Sequence, residues 1–453
     1  MRDLLHETAD LAADFLESLP ERPVFLTVDL EALRARLGGP VPDAPTEPRE
    51  VVAELAAVGS EAAVAIPGGR YFGFVIGGSV PAALAADWLT SAWDQNAGLY
   101  VGGPAAAVVE EVAGRWLAEL LGLPRARSFA FVTGTQMAHA TALAAGRNHV
   151  LHELGWDVER DGLAGAPRIR VLAGAKAHST LHRALRLIGL GTGSVVPVAV
   201  DDQGRMRTDA LREALARGGG PAIVCAQAGE VNTGSFDPLA EIADAAAEAG
   251  AWLHVDGAFG LWAAASPRFA PLVAGAERAD SWSVDAHKWL NVPYDSGIAL
   301  CAHPEPHRRA MGVQAEYLIH AEEGGPRDQV DWTPEFSRRA RGFAVYAAIR
   351  SLGRSGIAAM IERCCDHAAG FAREIQATGA EVLNEVVLNQ VLFRYETDER
   401  TLEILRRVQE SGEAWMSGTV WQERQAIRLS VSNWQTSDAD VDRTLAAFAA
   451  AAG

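Results

Sequence analysis

The sequence predicts an α/β fold, in which a mostly parallel sheet of seven strands carries helices on both faces. Seven short apolar runs indicate the strands: residues 128–132, 168–174, 194–200, 221–227, 251–257, 281–286 and 297–302. Stretches with helical spacing separate most of these runs, for example residues 208–220 and 237–250, whose predicted N-caps are Thr208 and Asp237. Strands that alternate with helices are typical of a parallel sheet covered on both sides. In such sheets ligands bind at the carboxyl ends of the strands, so those ends are the first places to look for a site.

The regions on either side of the predicted sheet differ from it in character. Residues 1–66 are predicted to form helices that belong to no sheet, with a proline-rich break at 38–48, and a glycine-rich aromatic loop follows at 67–80. The last hundred residues mix helical stretches with apolar runs, as in a smaller α+β domain. We therefore predict an N-terminal helical segment (1–66), a large domain (67–345) and a small C-terminal domain (346–453).

Composition narrows the class of protein. The chain of 453 residues has a formal net charge of −18, which disfavours binding to nucleic acid. Its four cysteines show neither metal-binding spacing nor a disulfide framework, so we expect no metal site and a reducing, cytoplasmic compartment. No apolar run approaches the length needed to cross a membrane, and the first residues lack the pattern of a signal peptide.

Lysine usage is the most unusual feature of the composition. Of the 40 basic residues, 38 are arginines, and the two lysines are Lys176 and Lys288. An arginine stays protonated, whereas a desolvated lysine can lose its proton and attack a carbonyl group. Lys288, in "DAHKWLNVPYDSG" (285–297), is therefore a candidate nucleophile, although it could also be an ordinary surface lysine. Lys176 follows another predicted strand in a polar loop, where a solvated side chain is expected.

Three other predicted strand ends carry polar residues. Thr133, Gly134, Thr135 and Gln136 stand between a strand and a helix, where backbone N–H groups could hold a phosphate, although a plain capped turn has the same pattern. Asp256 ends an apolar strand, and a buried carboxylate needs strong donors or a cation unless it only caps a turn. His178 follows a further strand, where a structural histidine is the alternative.

Taken together, these four features predict one cofactor, pyridoxal 5'-phosphate. It needs a phosphate cradle, a lysine for its aldehyde, an aspartate that keeps its ring nitrogen protonated and a flat side chain against the ring. We assign these needs to residues 134–136, Lys288, Asp256 and His178, respectively.

The same segments resemble the group II pyridoxal-phosphate-dependent amino-acid decarboxylases, the family of the aromatic-L-amino-acid, tyrosine, histidine and glutamate enzymes. The resemblance covers residues 67–365 and continues more weakly to the C-terminus. It rests on "HVDGAFG" (254–260), "DAHKWLNVPYDSG", "AHST" (177–180), "VNTGSFDPL" (231–239), "PAALAADWLTSAWDQN" (81–96) and "RRARGFAVYAAIRSLGRSGI" (338–357).

The resemblance implies a fold-type-I architecture and adds residues to the predicted site. Ala258, Asp285 and His287 would line the cofactor site, and Asp285 replaces the asparagine usual in the family. A carboxylate beside a phosphate is unfavourable unless it turns away or pairs with a cation. "MGVQAEYLIH" (311–320) resembles the family's mobile loop, whose tyrosine, here Tyr317, would protonate the substrate carbon after CO2 leaves. The family also implies a homodimer in which residues 1–66 wrap the partner.

The resulting prediction is decarboxylation of an L-amino acid, with an aromatic one as a candidate, by catalytic residues Lys288, Tyr317 and His178. Two alternatives remain open. One is another reaction of the same cofactor, such as that of an aldehyde synthase, an aldolase-type lyase or an aminotransferase. The other is a regulatory protein that binds the cofactor without catalysis.

Overall fold

The large sheet of the protein has the predicted strands in a nearly parallel arrangement. The computed structural model describes residues 1–312 and 325–453. Within these, seven strands pair in the order β1-β7-β6-β5-β4-β2-β3, and β7 is antiparallel to both of its neighbours. Their bounds are β1 Ser128–Val132, β2 Arg170–Gly174, β3 Val195–Val198, β4 Ala222–Gln227, β5 Trp252–Asp256, β6 Ser281–Asp285 and β7 Gly297–Cys301. The predicted fold class is confirmed.

Helices precede the sheet and connect its strands. Those of the N-terminal half are α1 Arg2–Ser18, α2 Leu30–Leu37, α3 Pro48–Ala62, α4 Pro81–Trp93, α5 Pro104–Leu120, α6 Thr135–His152, α7 Val158–Asp161 and α8 Ser179–Leu187. They are followed by α9 Thr208–Arg217, α10 Leu239–Glu248, α11 Ala286–Trp289 and α12 Pro304–Met311. Helix α6 packs across β5, β6 and β7. The sheet and its helices bury the side chains of Trp252, Trp262, Trp282 and Trp289 completely.

A second sheet forms the core of the C-terminal region. Four strands, β8 Glu381–Val382, β9 Gln390–Arg394, β10 Ser417–Trp421 and β11 Arg424–Ser430, pair in the order β10-β11-β9-β8. Helices α13 Gly342–Glu374, α14 Asp398–Ser411 and α15 Asp438–Ala452 accompany them. The predicted boundary at 345/346 falls inside α13, which links the two sheet regions and is interrupted at Gly353 by a non-helical backbone conformation (φ 61°, ψ 179°). The division into three parts stays a prediction.

Two connecting helices begin one or two residues away from the caps that the sequence suggests. Thr208 is the first residue of α9 rather than its N-cap, and its hydroxyl donates to Glu241 at 2.8 Å. Asp237 lies before the N-cap of α10 and accepts hydrogen bonds from the N–H groups of Met206 and Gln227, each at 2.7 Å. In both cases the side chain forms a hydrogen bond to a residue distant in sequence instead of capping its own helix.

The lengths of the helices and the arrangement of the potential metal ligands concern two of the sequence predictions, that the chain does not cross a membrane and that it has no metal site. Among residues 1–312 and 325–453, no helix is long and apolar enough to cross a bilayer. The same residues contain no group of three or more His, Cys, Asp or Glu side chains placed to hold a metal ion. Cys225, Cys301, Cys364 and Cys365 are all buried and unpaired.

Candidate active site

The predicted site residues come from four strand ends at one edge of the large sheet. Asp256 ends β5, Asp285 ends the neighbouring β6, and Lys288 lies in the short helix that follows β6. Thr135 begins α6 after β1, and His178 is the N-cap of α8 after β2. Parallel strands bring their carboxyl ends together, which explains why residues more than a hundred positions apart share one site.

Lys288 and Asp285 form the central ion pair. Lys288 Nζ lies 3.0 Å from Asp285 Oδ2, and the lysine side chain is 19% exposed. Burial alone would raise the pKa of Asp285, but Lys288, His287 and Thr135 together hold that pKa below its usual value. Asp285 thus does not turn away from the cradle, and its cationic partner is the candidate nucleophile itself.

The cradle at the start of α6 has the properties of an anion site. Thr135 N–H donates to Asp285 Oδ1 at 2.6 Å, and Thr135 Oγ1 is buried without a hydrogen-bond partner in the described chain. Gly297 of β7 packs so closely on Gly134 that a Cβ there would lie 2.4 Å from the Gly134 Cα. Gln136 is the second residue of α6 and is partly exposed. An unpaired hydroxyl at a helix start fits the predicted phosphate.

His287 supplies a further donor to this cradle. Its Nδ1 accepts a hydrogen bond from the Ser296 N–H at 3.1 Å, and burial lowers its pKa, so the neutral ring carries its proton on Nε2. That nitrogen lies 3.6 Å from Asp285 Oδ1. The exposed ring of Tyr294 stacks on the other side of the imidazole, at 4.3 Å between ring centroids.

Asp256 is fixed from two sides. Its Oδ1 accepts a hydrogen bond from the Ala258 N–H at 3.1 Å, and its Oδ2 lies 3.3 Å from His139 Nε2. Burial by itself would raise the pKa of Asp256, but His139, His178 and Lys288 outweigh burial and lower it. Asp256 is therefore a carboxylate throughout the ordinary pH range, as a partner for a protonated ring nitrogen must be.

His178 lies near Asp256 and Lys288, whose charges act on its pKa. Thr180 N–H donates to its Nδ1 at 3.3 Å, and the Thr180 hydroxyl lies 2.8 Å from the same nitrogen. Burial lowers the pKa of His178, Asp256 raises it and Lys288 lowers it further. The net result is a neutral imidazole that carries its proton on Nε2, so in this form it offers no lone pair to a metal ion.

Sequence reasoning missed three residues of this region. His139 and His254 are fully buried and lie beside Asp256, and Arg428 from β11 is within electrostatic range of His178. Arg428 is buried, and it donates to Val231 O at 3.2 Å and Ser417 Oγ at 3.3 Å. Its Nε is buried without a partner among the described residues. An arginine inside the apolar run "AIRLSVSNW" was the available signal for this residue.

Tyr317 lies outside the described residues. Its predicted role in proton transfer therefore rests on the sequence resemblance.

A family model and several relatives match this chain over most of its length. The model for the pyridoxal-dependent decarboxylase conserved domain matches residues 70–396. An aromatic-L-amino-acid decarboxylase of Bacillus atrophaeus is 28% identical over 96% of this chain and 92% of its own. A 4-hydroxyphenylacetaldehyde synthase of Rhodiola rosea is 28% identical over 75% of this chain and 72% of its own.

A solved structure agrees with these sequence matches. The structure of Oryza sativa TDC with PLP and tryptamine superimposes with a TM-score of 0.93 and 25% identity. The match covers 100% of this chain and 97% of the other. The similarity therefore extends beyond the large sheet to the N-terminal helices and the C-terminal region.

Proposed function

The chain belongs to the pyridoxal-dependent decarboxylase family, and we propose that it converts an L-amino acid to the corresponding amine and CO2. It is a pyridoxal-phosphate-dependent carboxy-lyase, and the specific substrate is the open part of the proposal. One observation of the structure carries it: Lys288 lies close enough to Asp256 and His178, at one edge of the sheet, to lower the pKa of both. A helix start with an unpaired hydroxyl lies at the same edge. A regulatory protein that only binds the cofactor would not need Lys288, Asp256, His178 and Tyr317 together.

The residues of the chain divide the work of this reaction. Bound pyridoxal phosphate supplies a ring that accepts the electrons released when the carboxylate leaves. Lys288 would hold the aldehyde carbon of the cofactor until the substrate amine takes the place of the lysine on that carbon. Asp256 would keep a proton on the ring nitrogen, and His178 would pack on the ring face. Residues 134–136 and His287 would donate hydrogen bonds to the phosphate.

Arg428 is our candidate for binding the substrate carboxylate. It brings a buried positive charge from the C-terminal sheet, burial lowers its pKa, and its direct acceptors are neutral. A buried guanidinium gains most from a carboxylate partner, because charge-assisted hydrogen bonds are the strong ones. Bound in this way, the carboxylate of the substrate would be held in a fixed orientation to the cofactor ring.

An aromatic ring is our first candidate for the side chain of the substrate. The rings of Tyr71 and Phe74 both stack on Trp415, at 5.0 and 5.4 Å between centroids, and Phe74 is 58% exposed. The same loop packs against the backbone of Lys288, because a Cβ on Gly77 would lie 1.9 Å from the Lys288 carbonyl oxygen. Exposed aromatic surface beside a site favours an apolar or aromatic ligand.

The decisive experiment is a substrate panel. The purified enzyme, loaded with pyridoxal phosphate, should be offered aromatic, branched aliphatic, acidic and diamino L-amino acids while CO2, amine, aldehyde and keto acid are measured. We expect CO2 and amine in equal amounts from one class. Aldehyde with consumption of oxygen would support the synthase alternative, which one relative represents. Keto acid without CO2 would indicate an aminotransferase, and no product from any class would favour the regulatory alternative.

Replacing Tyr317 by phenylalanine tests the last step of the proposal. The change keeps the ring and removes the acidic proton, so we expect amine formation to slow by at least ~10²-fold, the usual cost of losing a positioned acid. Cofactor affinity should be unchanged. The measurement is single-turnover amine release, with aldehyde and oxygen followed in parallel. Amine formation at the wild-type rate would rule out Tyr317 as the proton donor.

Replacing Asp285 by asparagine should tighten cofactor binding. The Thr135 N–H can still donate to the amide oxygen, while a negative charge beside the phosphate disappears. We expect the Kd of pyridoxal phosphate to fall roughly tenfold, which corresponds to about 1.4 kcal/mol of relieved repulsion. Titration of the apoprotein measures it, with Asp295→Asn, which removes a carboxylate paired with Arg341, as the control. Weaker binding would mean that Asp285 supports the cofactor through Lys288.

We also propose a homodimer. Helices α1 to α3 contain no buried residue, and they expose Leu5, Leu11, Leu30, Leu37 and Leu55. A dimer that covers these helices would bury well over ~2,000 Å2. Sedimentation of the holoenzyme at assay concentration should give twice the chain mass, and an active monomer would contradict this proposal.

The cytoplasmic location likewise stays a proposal, supported by the four unpaired cysteines.

A further inference from the structure

A polar stripe runs beneath helix α6, along one face of β5 and β6. Side chains alternate along a strand, so Trp252, His254 and Asp256 share a face of β5, and Ser281, Ser283 and Asp285 share a face of β6. Because α6 packs across both strands, it contributes His139 to the same stripe. The alternate positions of these strands, such as Val255 and Val284, are apolar and buried.

The members of the stripe form a continuous chain of polar contacts that ends on Asp256. Trp252 Nε1 donates to Ser281 Oγ at 2.9 Å, and Ser281 Oγ lies 2.9 Å from His254 Nδ1. His254 Nε2 lies 2.9 Å from His139 Nδ1, and His139 Nε2 faces Asp256 Oδ2 at 3.3 Å. His139 Nε2 makes no well-aligned hydrogen bond among the described residues, and the Asp256 carboxylate at 3.3 Å is its polar neighbour.

Both ends of this chain of contacts set the direction of its hydrogen bonds, because the Asp256 carboxylate at the far end can only accept. An indole N–H can only donate, so Ser281 accepts from Trp252 and its own proton is free to go to His254 Nδ1. Burial lowers the pKa of His254 to about 3, so its ring is neutral and carries its one proton on Nε2. That proton points to His139 Nδ1, which leaves the His139 proton on Nε2, directed at Asp256. Ser283 Oγ also lies 3.2 Å from His139 Nδ1.

We propose that His139 is a positioning residue whose Nε2–H fixes Asp256 as an oriented carboxylate for the cofactor ring nitrogen, and that His254, Ser281 and Trp252 set its tautomer. This inference rests on the proposed function of the site. The two imidazoles are fully buried, and buried polar groups are costly unless they are bonded. The fixed direction of the chain distinguishes it from a set of polar groups that merely satisfy one another, because only this direction delivers a donor to Asp256.

The test compares two cofactors that differ at one atom. Apoprotein is titrated with pyridoxal phosphate and with its 1-deaza analogue, in which C–H replaces the ring nitrogen, and the ratio of the two Kd values is taken. In His139→Leu we expect the preference for the natural cofactor to shrink ~10–100-fold, the usual effect of removing an outer-shell partner. The analogue's own Kd should stay near the wild-type value, because the analogue has no nitrogen for Asp256 to serve.

Two further variants complete the design. His139→Gln retains an amide N–H and should restore part of the preference. His307→Leu is the matched control, because His307 is another buried histidine, which contacts Ser128 Oγ and Trp332 O, each at 2.9 Å, away from Asp256. It should leave the ratio unchanged. If His139→Leu does not fold, Ser281→Ala should still reduce the preference by ~2–10-fold, the cost of one hydrogen bond.

The outcomes separate this inference from the proposed function. An unchanged ratio in His139→Leu would overturn the proposed role of His139 while leaving the decarboxylase proposal intact. If His139→Leu does not fold, an unchanged ratio in Ser281→Ala has the same meaning. An equal loss of affinity for both cofactors would reduce His139 to a structural role and also overturn it. Wild-type protein that binds neither cofactor would instead count against the proposed function.

Discussion

Replacing Lys288 by alanine should eliminate amine production, whereas replacing Lys176 should leave it near the wild-type rate. Lys288 follows β6, lies largely within the site and is paired with Asp285 at 3.0 Å. Lys176 instead places its Nζ 5.2 Å from the ring centroid of Trp421. We expect a loss of ~10⁴-fold or more for Lys288→Ala, the scale seen when a covalent catalytic group is removed.

Lys288→Arg sharpens this experiment. Arginine preserves the positive charge opposite Asp285 but cannot lose its proton to act as a nucleophile. If the role of Lys288 were only to neutralise Asp285, this variant would keep most of the activity. We expect it to be as inactive as Lys288→Ala while remaining as stable to denaturant as the wild type.

A chemical label gives an independent measurement. Borohydride reduction of the loaded enzyme should attach the cofactor to the peptide that contains Lys288. A label on the Lys176 peptide, or a Lys288→Arg variant with normal turnover, would refute the assignment.

The sequence was sufficient for the parts of the fold that depend on local pattern. Each of the seven apolar runs corresponds to a strand, and the residues that follow four of them meet at one edge of the sheet. Asp256 and Lys288 could be placed together because adjacent parallel strands must end on the same side. Their chemistry, a buried carboxylate and a rare lysine, was visible without any coordinates.

What the sequence could not supply was the identity of partners across space. His139 and Asp256 are 117 positions apart in the chain, and nothing local to "QMAHAT" indicates that its histidine faces a carboxylate. For the same reason Asp237 seemed to be a helix cap, although it accepts from two distant backbone N–H groups. Asp285 could be recognised as a charge near the phosphate, but its pairing with Lys288 depends on the short helix α11, which follows β6 directly.

Asp256→Asn should reduce turnover by ~10³–10⁴-fold, the range expected when a buried carboxylate that stabilises a protonated ring nitrogen is neutralised. Asparagine fills the same space and its oxygen can still accept from Ala258 N–H, so the packing should survive. What disappears is the charge that His139, His178 and Lys288 hold in its ionised form. Without that charge the ring nitrogen of the cofactor loses its proton, and the ring becomes a poor acceptor of electrons.

Asp280→Asn is the matched control, since Asp280 lies just before β6, at the opposite end of this strand pair. It accepts from Leu253 N–H at 2.8 Å and contacts His303 at 2.9 Å, far from the cofactor edge. Its turnover should stay within a few-fold of the wild type, because the loss of one hydrogen bond away from the site affects stability rather than chemistry. Steady-state turnover and denaturant unfolding of both variants separate the two effects. If Asp256→Asn kept turnover within tenfold of the wild type, the carboxylate would not be holding the ring nitrogen, and the assignment of this edge of the sheet as the cofactor site would lose its electrostatic basis.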